Sequence, residues 1–164
     1  MKRSFPPIED DKITMLILGT MPGEKSLAHQ QYYAHPQNRF WRVIAKITNR
    51  QLPDKYDQRT AMLSEAGIGL WDIIHNAERE GSLDSNIKNE YPNDLDKFIK
   101  THPFLKAIAF NGKGAERLYT KYFTKKPSIR YISLPSTSPA NAVFTFEKLY
   151  KEWNAALTVY ISAR

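Results

Sequence analysis

The chain has 164 residues, 41% of them hydrophobic and 12% aromatic, which suits a single packed domain over 1–164. Its formal net charge is +7 and it has no cysteine, so disulfides, thiolate nucleophiles and thiolate–zinc sites are excluded. No apolar run approaches the roughly 20 residues of a membrane helix, and Met1 to Asp11 has no apolar stretch of the secretory kind. Nucleic acid is therefore the expected polyanionic partner, with no membrane, in a cytoplasmic setting.

Ile13 to Leu18 is a short apolar run that predicts a buried strand. Gly19-Thr20-Met21-Pro22-Gly23 follows as a turn-rich loop, continuing through Tyr32-Tyr33-Ala34-His35-Pro36. A helix is expected to start near Asn38, with Phe40, Val43, Ile44 and Ile47 on one face. A second helix covers Asp57 to Ala66 and stops at Gly67; Ile68 to Ile74 reads as a strand. Glu78 to Pro92 is polar and reads as an exposed loop, and Pro92 to Thr101 as a helix with Leu95, Phe98 and Ile99 inward. Lys106 to Phe110 is the next strand, and Asn111-Gly112-Lys113-Gly114 turns the chain into a helix running to about Phe123. Ile129 to Leu134 is a further strand, followed by a Pro/Ser/Thr-rich loop from Pro135 to Asn141. The last helix carries Phe146, Leu149, Trp153, Leu157 and Tyr160 at steps of three or four.

Strands alternating with helices predict an α/β fold: three αβα layers around a mainly parallel central sheet of about four strands. Ligands in such folds sit beyond the carboxyl ends of the strands, so the loops after Leu18, Ile74, Phe110 and Leu134 are the expected site.

Four segments there carry chemistry. Gly19 to Gly23, with Ser26 beyond, could bring backbone amides to a phosphate or a base edge, but it lacks the Gly-Lys-Ser/Thr of a nucleotide-binding P-loop. Tyr32 to Trp41 sets aromatic side chains beside His35 and Asn38, which suits a flipped base; from the residues alone a helix-cap role for Asn38 is favoured over that one, and His35 equally suits a half-exposed loop position. Asn111 and Lys113 flank a turn that opens a helix and could hold an anion. Pro135, Ser136, Thr137, Ser138 and Asn141 offer hydroxyls and amides for DNA phosphates. Of the carboxylates Asp72, Glu78, Glu80 and Asp84, only Asp72 lies within an apolar run; the others read as a solvated acidic loop. The four histidines, at 29, 35, 75 and 102, show no metal-ligand spacing, so neither metal nor cofactor is expected.

Taken together these segments resemble the uracil-DNA glycosylase superfamily, and most of all its hypoxanthine-DNA glycosylase branch, family 6. The resemblance rests on Gly19 to Leu27, Tyr32 to Trp41, Leu70-Trp71-Asp72, Glu80 to Ser85, Phe110 to Lys113 and Leu134 to Asn141. His35-Pro36 to Trp41 is also similar to the mismatch-specific uracil glycosylases. The resemblance implies a three-layer αβα fold and a monofunctional glycosylase that flips a damaged base out of DNA. It implies Gly19 to Gly23 as the first active-site motif, Tyr33 as the ring that stacks on the base, and Leu134 to Ser138 as the second motif, contacting the DNA backbone and filling the gap. It implies Asn38 as the catalytic residue. The mismatch-specific branch carries its catalytic Asn at the position of Met21, which cannot hold a water, so hypoxanthine stands ahead of uracil as substrate.

In the mechanism this suggests, first-loop amides stabilise the leaving base and Asn38 orients a water, with Asp72 as the second choice of base. No lysine is placed for a Schiff base, so no lyase step is expected, and the enzyme is expected to act as a monomer on DNA containing a damaged base. The competing classes are a non-catalytic nucleic-acid-binding module with the same fold and a hydrolase of free nucleosides.

Overall fold

The computed structural model describes residues 1–161. Its strands are β1 (Lys2–Arg3), β2 (Met15–Gly19), β3 (Ile68–Asp72), β4 (Ile74–Glu78), β5 (Lys88–Pro92), β6 (Ala107–Asn111) and β7 (Arg130–Leu134). Its α-helices are α1 (Glu24–His29), α2 (Phe40–Ile47), α3 (Tyr56–Ala66), α4 (Leu95–Thr101), α5 (Lys113–Tyr122) and α6 (Phe146–Leu157). None of the described helices is long and apolar enough to cross a membrane.

The central sheet has four parallel strands in the order β3-β2-β6-β7. Every residue of β2 is buried, as a strand covered on both faces requires. Alternate side chains separate the two faces. Met15 and Ile17 join a core with Phe40, Val43, Ile44, Leu63 and Trp153, from α2, α3 and α6. Leu16 and Leu18 join a second core with Leu95, Phe98, Ala115 and Tyr119, from α4 and α5. The two cores make the three αβα layers. Each fully buried Leu, Ile or Val contributes about 1.5–3 kcal/mol.

Three expectations need correction. Ile68 to Ile74 is two strands: β3 ends at Asp72, and β4 leaves for another sheet at Ile74. At that break, Ile73 N–H donates to Gly19 O (2.9 Å) and Ile74 N–H to Thr20 O (3.0 Å), tying it to the first loop. Glu78 to Pro92 is no plain loop. It ends β4, forms a 3-10 turn at Asp84–Asn86, and supplies β5 to an antiparallel sheet ordered β1-β4-β5. β5 reads Lys-Asn-Glu-Tyr-Pro and lies mostly at the surface, and its pairing with β4 shifts register around Asn76, so it has no apolar alternation to detect. Finally, the segment after Gly23 forms α1, too short to carry a helical period.

Candidate active site

A cavity of about 1390 Å³ opens at the carboxyl ends of the parallel strands, and every residue singled out above for a site role lines it. The loops after β2, β6 and β7 reach it as expected. The β3 strand adds Asp72, and the chain after Ile74 reaches the cavity through Ser82, Leu83, Asp84 and Ser85.

The first loop is held from several sides. Arg79 donates from Nη2 to Pro22 O, Ser82 Oγ accepts from Glu24 N (2.8 Å), and Thr20 Oγ1 donates to Asp84 Oδ1 (2.7 Å). The backbone N–H groups of Thr20, Met21 and Gly23 have no partner among the described residues, so they remain donors for a ligand. The Met21 side chain is 6% exposed and packs in the second core, so its backbone is what can meet a base. Ser26, expected on DNA, is buried, and its Oγ accepts from Ala34 N (3.1 Å); it fixes the turn that carries Tyr33.

Tyr33 adopts a left-handed backbone (φ 54°), strained for a bulky residue. Its ring stacks on Phe40 at 4.3 Å between centroids and 27° between planes, while also lining the cavity. Its hydroxyl reaches Gly19, where a Cβ would lie 2.9 Å from it and 2.7 Å from Asp72 Oδ1. Only glycine leaves room there. Asn38 is half-buried just before α2; its Oδ1 accepts from Phe40 N (2.9 Å), although the residue flanking the helix is Arg39. An amide oxygen has two lone pairs, so this bond leaves room for a water on Oδ1 and leaves Nδ2 free to donate. His35 is exposed, and its Nδ1 accepts from Gln37 N (3.1 Å).

The second-motif loop is organised by Arg39, which the sequence reading missed. Its buried guanidinium donates to the carbonyls of Ser138 (3.0 Å), Asn141 (3.1 Å) and Phe144, and its N–H to Thr137 O (3.1 Å). Trp153 Nε1 donates to Pro135 O (2.9 Å). Thr137, expected on DNA, is fully buried and exchanges two 3.0 Å hydrogen bonds with the Asn111 carboxamide. Both residues therefore set the loop's position, and the Asn111 carboxamide, which lines the cavity, keeps one N–H and one lone pair beyond these two bonds. Asn141 Nδ2 donates to Ser136 O (3.0 Å) and Ser138 N–H to Ser136 Oγ (3.1 Å), stiffening the loop from within. Gly112 at φ 96° turns the chain into α5 with Ser136 Cβ 3.1 Å from where its own Cβ would be, and Lys113 is exposed at the rim.

Asp72 is 3% exposed, and its Oδ2 has no hydrogen-bond partner among the described residues. Burial first, and the Asp84 charge second, push its carboxyl up to about 7 against an opposing pull from Arg79. Burial and the Asp72 charge likewise hold the Tyr33 hydroxyl above its ordinary value. Asp84, Arg79 and Ser82 were not found by reading side-chain chemistry, because their segment looked solvated. The resemblance across Glu80 to Ser85 was the one signal for Ser82 and Asp84, and Arg79, just before it, had none. Among the described residues no cluster of three or more His, Asp or Glu side chains could hold a metal ion.

The family model described as the Uracil DNA glycosylase superfamily matches residues 6–158. A Hypoxanthine DNA glycosylase of Methanosarcina acetivorans is 36% identical over 161 residues, covering 94% of this chain and 97% of its own. A Hypoxanthine DNA glycosylase of Methanosarcina barkeri is 41% identical over 113 residues, covering 68% of this chain and 72% of its own. A solution NMR structure of a uracil DNA glycosylase candidate from Methanosarcina acetivorans superposes with a TM-score of 0.81 at 36% identity, covering 97% of this chain and 98% of that one.

Proposed function

The chain belongs to the uracil-DNA glycosylase superfamily, and we propose that it releases hypoxanthine from deoxyinosine in DNA by hydrolysing the N-glycosidic bond. The observation that carries this reading is the single cavity that gathers the first loop's unpartnered amides, the Tyr33 ring and Asn38. A flipped base needs a stacking face, donors for the charge that develops as it leaves, and a placed water.

In the proposed mechanism the base stacks on Tyr33, whose other face is backed by Phe40. The bond from sugar to base lengthens before water arrives, so positive charge grows on the sugar and negative charge on the base. Amides of Thr20, Met21 and Gly23 meet that negative charge. Asn38 holds the water, through Nδ2 or the second lone pair of Oδ1, against the exposed face of the sugar; its contribution is positioning, since a carboxamide is a poor base. Lys25, Lys113 and Arg117 line the cavity mouth, exposed, where DNA phosphates would pass, and Ser136 and Ser138 lie on the facing loop. The enzyme is proposed to act as a monomer in the cytoplasm, without metal or cofactor.

Chromatographic detection of free hypoxanthine tests this. Release from a duplex bearing one deoxyinosine, with none from free deoxyinosine, is expected. Binding to that duplex should weaken with salt by about −0.9 in log–log slope for each phosphate neutralised. Release from the nucleoside alone would make the protein a nucleoside hydrolase. Salt-sensitive binding without release would make it a binding module.

A further inference from the structure

The mechanism above gives the leaving base donors for its charge but no proton. The cavity wall holds a carboxyl that could supply one. Asp72 ends β3 in the cavity wall, pressed against the bare Cα of Gly19, with Oδ2 unpartnered at 3% exposure. A buried carboxylate oxygen with no donor is costly, whereas the neutral acid is far cheaper to bury and carries an O–H that still lacks an acceptor. We propose that Asp72 is the general acid of the reaction, holding a proton in the free enzyme and donating it to the departing purine. This rests on the glycosylase reading. It reverses the sequence expectation, which had Asp72 second in line as a base.

The step balances. The C1′–N9 bond breaks and its electron pair stays with the purine. The Asp72 proton moves to N7, the most basic ring nitrogen of an N9-substituted hypoxanthine, and leaves Asp72 as carboxylate. Water adds to C1′ and loses a proton, which through solvent restores the acid. A neutral base departs in place of an anion, which lessens the negative charge the pocket must stabilise as the bond breaks.

The charged and titratable surroundings favour the protonated form. Asp84, on the 3-10 turn beyond β4, raises the carboxyl, and Arg79, at the end of β4, opposes it less strongly than burial. Tyr33 and Tyr32, before α2, and Tyr56, at the start of α3, face it as neutral phenols, each held above its ordinary value chiefly by burial. No described cation forms an ion pair with it. A carboxyl raised by its surroundings toward the working pH is how one acid can serve near neutrality.

The test is the single-turnover rate of hypoxanthine release across pH 6 to 9 for wild type and Asp72→Asn, with binding to the same duplex measured alongside. Wild type is expected to slow about tenfold per pH unit above the carboxyl's value. Asp72→Asn, which keeps the shape, is expected to bind the duplex as wild type does, to lose about 100-fold or more in rate, and to lose the alkaline fall. A duplex carrying 7-deazadeoxyinosine, with no N7, should bring wild type down to the rate of the variant, with no further loss in the variant. A flat wild-type profile, or an Asp72→Asn variant with wild-type rate and profile, overturns the proposal while leaving the glycosylase standing. A wild type that releases no hypoxanthine at any pH removes the glycosylase reading, and this proposal with it.

Discussion

At the scale of single residues, the site depends on crowding. Gly19 has no side chain because Asp72 Oδ1 and the Tyr33 hydroxyl occupy the space a Cβ would need. That crowding buries the Asp72 carboxyl, and burial has a consequence for stability as well as chemistry. The folded protein keeps a proton on Asp72 up to about pH 7, whereas the unfolded chain releases it near 3.8. Between those values the folded state binds more protons than the unfolded state, so stability falls as pH rises, then levels above about 7. Urea melts of wild type and Asp72→Asn at a series of pH values should therefore show the variant gaining on wild type from pH 4 to 7, with a constant difference above. A difference that does not vary with pH would mean that Asp72 titrates normally.

At the scale of elements, the parallel sheet was legible because β2 and β6 are short apolar runs, each followed by a glycine-bearing turn. The helices were legible from their apolar faces, most clearly α6 with Leu149, Trp153 and Leu157. The antiparallel sheet was not, because β5 buries no residue fully and pairs irregularly with β4, so it leaves no hydrophobic period. The site was legible in its loops but not in its scaffolding. Asn38, Tyr33 and the Ser136 loop stood out as residue types. Arg39, Arg79 and Asp84 act through backbone carbonyls and one hydroxyl far away in sequence, which no local pattern announces. Arg39 joins α2 to the second-motif loop, so Arg39→Ala should free that loop while leaving both cores intact. The expected cost is about 1.5–3 kcal/mol in stability, with faster amide hydrogen exchange over 138–144 and weaker duplex binding. Unchanged exchange in that stretch would show that the loop is held by its own internal bonds.

At the scale of the whole molecule, the net charge of +7, the cavity at the carboxyl edge of the sheet and the family match point the same way. A basic protein attracts polyanions, and an open α/β sheet takes its ligand beyond the carboxyl ends of its strands, where this cavity lies. In the proposed mechanism single residues supply the chemistry, and the two clamped loops hold them in register. The central claim is that this pocket cleaves the bond to hypoxanthine with Asn38 placing the water. It is tested most directly by incubating the protein, with EDTA present, on duplexes bearing one deoxyinosine or one deoxyuridine, then cleaving abasic sites with alkali. Wild type and an Asn38→Ala variant shown to be folded by circular dichroism would be compared side by side. The account predicts scission at deoxyinosine by wild type and its loss in the variant. Scission by both proteins would make Asn38 a helix cap, scission only at deoxyuridine would contradict the substrate, and no scission at either base would contradict the account as a whole.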